Sequence, residues 1–118
     1  MTTAIIGAGV MGETLLSGLL RAGRQPDDIV IAERRVERAD ELTERYGVKV
    51  MGNAEAAAGA ATVMLVVKPQ DMAAVLSEIR DVISAGTLVI SLAAGITTAF
   101  LESHLPSGTA VVRVRSEE

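Results

Sequence analysis

Three glycines in the order G-x-G-x-x-G, Gly7, Gly9 and Gly12, follow the aliphatic run Ala4-Ile5-Ile6 and lead straight into an amphipathic stretch over residues 11–22. That order suits a phosphate-binding turn. Gly7 permits a tight exit from a strand, and Gly9 lets the backbone approach a pyrophosphate with no Cβ in between. Gly12 lets the following helix lie close on the sheet, and the helix N-terminus offers N–H groups and a positive dipole end to the phosphates. Three glycines also align by chance in turns that only join core elements. Here the strand before them, the helix after them and an acidic residue at the right distance all agree.

That acidic residue is Glu33, 21 residues beyond Gly12, with Arg34 and Arg35 next to it. In a dinucleotide fold an acid at the end of the second strand hydrogen-bonds the adenosine 2′-hydroxyl of NAD, whereas an arginine accommodates the 2′-phosphate of NADP. The two signals conflict. A carboxylate facing a phosphate is repelled by about 4 kcal/mol per unit-charge pair at 4 Å and an effective dielectric of 20. An arginine fork on the same phosphate offsets this and can stack on adenine. With Glu33 turned aside, Arg34 and Arg35 would hold the phosphate; the bland alternative is a solvated helix start.

Ligands of such sheets bind at the carboxyl ends of the strands, so the loops after the fourth and fifth strands should face the same ligand. The first reads Val66-Val67-Lys68-Pro69-Gln70 and carries one of only two lysines, the other being Lys49. Lys68 could reach ribose or phosphate oxygens, while Pro69 stiffens the turn. The second reads Leu92-Ala93-Ala94-Gly95, whose small residues leave room for a flat ring. Plain strand-end turns would account for both equally well.

These loops need a frame, and strand-like and helix-like stretches alternate throughout. Strands are expected over residues 3–6, 29–32, 48–51, 62–67, 87–92 and 110–114. Helices are expected over 11–22, 36–46, 54–58, 71–83 and 97–103. The first carries Leu15, Leu16, Leu19 and Leu20 on one face, and the second Val36, Ala39, Leu42 and Tyr46, with Glu41 and Arg45 paired outside. The fourth, with Met72, Val75, Leu76, Ile79, Val82 and Ile83, follows the helical period most closely. The fold class expected is α/β, a doubly wound parallel sheet of the Rossmann-like kind.

Composition bounds the rest. At 118 residues the chain suffices for one domain, expected over residues 1–114 with a short tail at 115–118. Tyr46 and Phe100 are its sole aromatics, and with a net charge of −4 it offers little to nucleic acid. It has no cysteine and one histidine, His104, so no metal site is expected. No apolar run approaches the ~20 residues that span a bilayer, so neither nucleic acid nor membrane is an expected partner and the expected location is cytoplasmic.

Taken together, the segments resemble the N-terminal domain of pyrroline-5-carboxylate reductase. The resemblance rests on Ile6-Gly7-Ala8-Gly9-Val10-Met11-Gly12, Val67-Lys68-Pro69-Gln70, Ser91-Leu92-Ala93-Ala94-Gly95-Ile96-Thr97, and Leu105-Pro106 leading to Val111-Val112-Arg113-Val114. It implies that Gly7, Gly9, Val10, Met11, Gly12, Arg34, Asn53, Val67, Lys68, Pro69, Ala93, Ala94 and Gly95 contact a nicotinamide dinucleotide. NADP(H) is favoured and NAD(H) stays open, because Glu33 departs from the small polar residue common in that family. The implied reaction is hydride transfer to the C=N bond of 1-pyrroline-5-carboxylate, giving L-proline. After Val114 the chain reads Arg115-Ser116-Glu117-Glu118, where the family continues into an active-site motif and a helical domain. That domain binds the imino acid and forms the homo-oligomer. The expectation is therefore a cofactor-binding half, truncated before that domain, inactive or weakly active alone and with no catalytic residue of its own. The alternative is a stand-alone, non-catalytic NAD(P)-binding regulatory module. A β-hydroxyacid-dehydrogenase-like or deazaflavin-dependent reductase has a similar glycine turn, but the S-x-A-A-G-I-T segment argues against it.

Overall fold

Short aliphatic runs rich in Ile and Val read as strands buried on both faces, and six of them form one sheet in a computed structural model that describes residues 2–7, 9–93 and 95–114. The strands are β1 (Thr3–Ile6), β2 (Ile29–Ala32), β3 (Lys49–Met51), β4 (Thr62–Leu65), β5 (Leu88–Ser91) and β6 (Ala110–Arg113). Their order is β3-β2-β1-β4-β5-β6, with every neighbouring pair parallel. This is the doubly wound Rossmann order expected from the sequence, and it reverses direction between β1 and β4. Burial follows position: every residue of central β1 and β2 is buried, while β6 at the edge leaves Val112 and the following Val114 nearly half exposed.

The period of two along a strand divides the core in two. Ile5, Ile29 and Ile31 face α1 (Val10–Arg21) and α2 (Val36–Tyr46), and pack with Leu16, Leu42 and Val48. Ala4, Ile6, Val63 and Leu65 face the other way, toward α3 (Asn53–Ala58), α4 (Met72–Ile79) and α5 (Thr98–His104). There they meet Ala56, Ala57, Met72, Leu76, Ile79 and Leu101. With so few aromatics, the alanines of α3 let that helix sit against the sheet without large side chains.

Two expectations are corrected. Val36 does not belong to the inner face of α2; it opens the helix and is 68% exposed, whereas Leu42 is buried and Ala39 and Tyr46 are partly covered. The helix expected over 71–83 is instead a 3-10 turn at Pro69–Asp71, then α4 ending at Ile79. Val82 and Ile83 still pack on the core, from a turn in which their N–H groups both donate to the Ile79 carbonyl. The apolar period therefore continues after the helix has stopped, which is why the sequence reads as one element.

Register positions the site. Ile6 lies opposite Ala32 and Leu65, Leu65 opposite Ser91, and Ala32 opposite Met51. Five strands thus end level, and the loops leaving them all emerge at one edge of the sheet.

Candidate functional site at the carboxyl ends of the strands

The glycine turn leaves β1 at Gly7, whose φ of +112° lies in the left-handed region. A Cβ there would stand 2.9 Å from the Val66 carbonyl oxygen, so the turn is wedged against the end of β4. A Cβ on Gly12 would lie 2.0 Å from the Gly7 carbonyl oxygen, which is the close helix approach expected of the third glycine. Gly9 differs from both: its φ is −75° and a Cβ would meet nothing within 4 Å. Packing accounts for Gly7 and Gly12 and does not account for Gly9.

Gly9 is also the N-cap of α1, and no side chain caps it. The first intrahelical bond runs from the Glu13 N–H to the Gly9 carbonyl at 3.0 Å, and no acceptor among the described residues meets the N–H groups of Val10, Met11 or Gly12. Among the described residues, three donors and the positive end of the helix dipole are therefore left open at the glycine turn. Val10 and Met11 are themselves exposed at this end. The turn is fixed from behind by Glu13. Its carboxylate accepts from Arg38 Nη2, Arg45 Nη1 and the Tyr46 hydroxyl, each at 2.6 Å, and so joins α1 to α2. The Tyr46 hydroxyl, then Arg38 and Arg45, hold the Glu13 carboxyl at about 2 against the opposing effect of burial.

Beside the turn lies a cleft of about 410 Å³ lined by Gly7, Ala32, Glu33, Arg34, Arg35, Asn53, Val67, Asp71, Ala74, Val75 and Glu78. Glu33 does not face the cleft as a free acid. One of its oxygens accepts from the Arg35 backbone N–H and from Arg35 Nε, both at 2.9 Å, and the other from Arg35 Nη2 at 3.4 Å. Burial pushes its pKa up, but these donors outweigh burial and the net direction is down. The Arg35 guanidinium is raised in turn, chiefly by the hydrogen bond to Glu33. Arg34 reaches across to α4, where its Nη2 donates to Glu78 Oε1 at 2.5 Å. Asn53, the first residue of α3, brings Nδ2 to 3.4 and 3.5 Å from the two Glu78 oxygens.

Of the residues expected from the sequence, the cleft gathers Gly7, Glu33, Arg34, Arg35, Asn53 and Val67. Gly9, Val10, Met11 and Gly12 continue from it along the start of α1. Exposed Lys68 and Pro69 occupy the 3-10 turn after Val67, and Lys68 has no ion-pair partner among the described residues. Ala93 is buried behind β5, its N–H 3.4 Å from Ser91 Oγ, and Gly95 is exposed with a φ of +78°. Ala94 lies outside the described residues, as does the tail at 115–118. Glu78 escapes sequence reasoning altogether. The available signal is that it is the only ionisable residue in α4 and stands at helical spacing from Asp71 and Val75 on one face.

Among the described residues no group of three or more His, Cys, Asp or Glu could hold a metal ion, and no helix is long and apolar enough to cross a membrane.

Residues 2–95 match the family described as "NADP oxidoreductase coenzyme F420-dependent". The chain belongs to this family. The coenzyme in that description is the family's. A curated relative, pyrroline-5-carboxylate reductase of Mycobacterium tuberculosis, is 47% identical over 116 residues. The match covers 93% of this chain and 39% of the relative. The structure of a pyrroline-5-carboxylate reductase from Coxiella burnetii superposes with a TM-score of 0.89 at 33% identity, covering 95% of this chain and 42% of that one. A Plasmodium falciparum pyrroline carboxylate reductase solved with NADP bound shares the fold at 21% identity and a TM-score of 0.78, covering 96% of this chain and 41% of its own. The resemblance drawn from the loop motifs therefore holds: the chain is similar to the N-terminal part of these reductases and spans about two-fifths of their length.

Proposed function

We propose that this chain is the NADP(H)-binding domain of a pyrroline-5-carboxylate-reductase-type oxidoreductase. The observation that carries the reading is Gly9, a glycine that packing does not require, set beneath three N–H groups with no acceptor among the described residues. A pyrophosphate fits that arrangement in charge and in donor number, with the backbone free to approach it closely. The cleft beside it fits an adenosine ribose, with Arg34, Arg35 and Asn53 as donors. The small residues of the loop after β5 leave space for a flat ring.

When bound, the nicotinamide would supply a hydride to the C=N carbon of 1-pyrroline-5-carboxylate, giving L-proline. This chain's own residues bind and orient. The N–H groups of Val10, Met11 and Gly12 neutralise phosphate charge, Lys68 adds a cation near the same oxygens, and the turn at Ala93 and Gly95 bounds the ring. None of them is positioned as an acid or base toward an imine.

A thermal-shift titration tests the reading. NADPH at about 100 times its Kd should stabilise the chain by about 2.7 kcal/mol, with no proline formed from pyrroline-5-carboxylate by the chain alone. An unchanged melting temperature at millimolar NADPH would contradict the binding claim. Turnover by the isolated chain would contradict the assignment of a binding role only.

A further inference from the structure

Arg34 and Arg35 enter the cleft already opposed by carboxylates, and the two carboxylates are not equivalent. Glu33 belongs to the same turn, its side chain is 8% exposed, and it holds the Arg35 backbone N–H as well as the guanidinium. Glu78 comes from the far wall, on α4, and its side chain is 37% exposed against 71% for Arg34. It draws Arg34 across the opening, with the Asn53 amide beside it. Ala74 and Val75, its neighbours on that wall, offer no charge to offset it. An exposed pair of this kind opens at little cost. The negative charge nevertheless stays where any second anion on Arg34 would have to lie.

We propose that Glu78 is a specificity-determining residue of the dinucleotide site, its carboxylate competing with a ribose 2′-phosphate for Arg34 and Asn53. The proposal rests on the dinucleotide reading above. A dinucleotide with a free 2′-hydroxyl leaves the Arg34–Glu78 pair in place and can donate to the carboxylate. One with a 2′-phosphate, about −1.5 to −2 in charge at pH 7, has to displace Glu78 and remain beside it. Glu78 therefore lowers the preference for the phosphorylated dinucleotide without being needed for binding the other.

The test is a titration of the whole chain and of Glu78→Gln with NADP+, NAD+, 2′,5′-ADP and 5′-AMP. Glu78→Gln should tighten NADP+ and 2′,5′-ADP about three- to tenfold and change NAD+ and 5′-AMP by less than about twofold. The gain should shrink at about 0.5 M salt, where charges are screened over a few ångströms. Glu78→Asp keeps the charge and should resemble the parent. Glu78→Ala removes the whole carboxylate and should repeat the Gln result; adding Arg34→Gln should cut the gain by at least half. An unchanged NADP+ to NAD+ ratio in folded Glu78→Gln and Glu78→Ala overturns the proposal. So does an equal weakening of all four ligands, the result expected if the carboxylate held adenine or ribose. If the parent binds both dinucleotides and only the ratio fails to move, this inference alone falls. If it binds neither, the dinucleotide reading falls with it.

Discussion

The two ends of the proposed cofactor groove are built in opposite ways. At the adenosine end, side chains do the work and are already paired: Arg35 with Glu33, Arg34 with Glu78, and Asn53 beside the same carboxylate. At the nicotinamide end the work falls to the backbone. The buried Ala93 and the left-handed Gly95 define it, and Lys68 adds a cation. The first end can be retuned by exchanging charges on a surface. The second changes only if the turns themselves change. One sheet edge thus combines a variable reader with a fixed platform, and the glycine turn lies between them.

The sharpest way to break that contrast is within the turn. Gly12→Ala puts a Cβ 2.0 Å from the Gly7 carbonyl oxygen, and overpacking against backbone should cost about 3 kcal/mol or more. Thermal denaturation would show this as a large fall in melting temperature with or without cofactor. Arg34→Gln acts on the adenosine end only: NADP+ affinity should drop about tenfold, with NAD+ nearly unchanged and the melting curve that of the parent. Equal loss for both dinucleotides would remove Arg34 from the role of phosphate reader. Lys68→Met probes the other end and should weaken NADP+ and NAD+ alike, about threefold, because its cation does not depend on the 2′ position.

The smallest effect concerns the brace behind the turn. The Glu13 carboxyl is held at about 2, below its ordinary value of 4.5. A depressed acid contributes stability that is complete above pH 4.5 and is lost as the pH falls toward 2. Urea melts of the parent and Glu13→Gln at pH 3 and pH 7 should therefore differ more at pH 7. A gap that is the same at both pH values would mean that the Glu13 charge contributes nothing.

Much of this was legible beforehand, for local reasons. Each strand of the β-α alternation announces itself in aliphatic residues, and the roles of Gly7 and Gly12 follow from turn geometry that any such sequence must obey. The loops after β4 and β5 could be assigned to the site because parallel strands present their carboxyl ends together. What escaped depends on residues far apart in sequence. Nothing local says that Glu78 on α4 meets Arg34, 44 positions away, or that Glu13 gathers Arg38, Arg45 and Tyr46. Val36 misled because it keeps the helical period but is the first residue of α2, where its side chain stays exposed. The conflict between Glu33 and its arginines is likewise settled only by the fold: Glu33 is folded back on Arg35, leaving Arg34 to the opposite wall.

The most direct test is calorimetric titration of NADPH into the chain beside Gly9→Val. A Cβ at Gly9 meets nothing within 4 Å, so the variant should melt like the parent. It should bind NADPH at least about thirtyfold more weakly, because its side chain occupies the position of the pyrophosphate. Equal NADPH affinity in the two proteins would contradict the account, since Gly9 would then be an ordinary turn glycine and not the floor of a phosphate site.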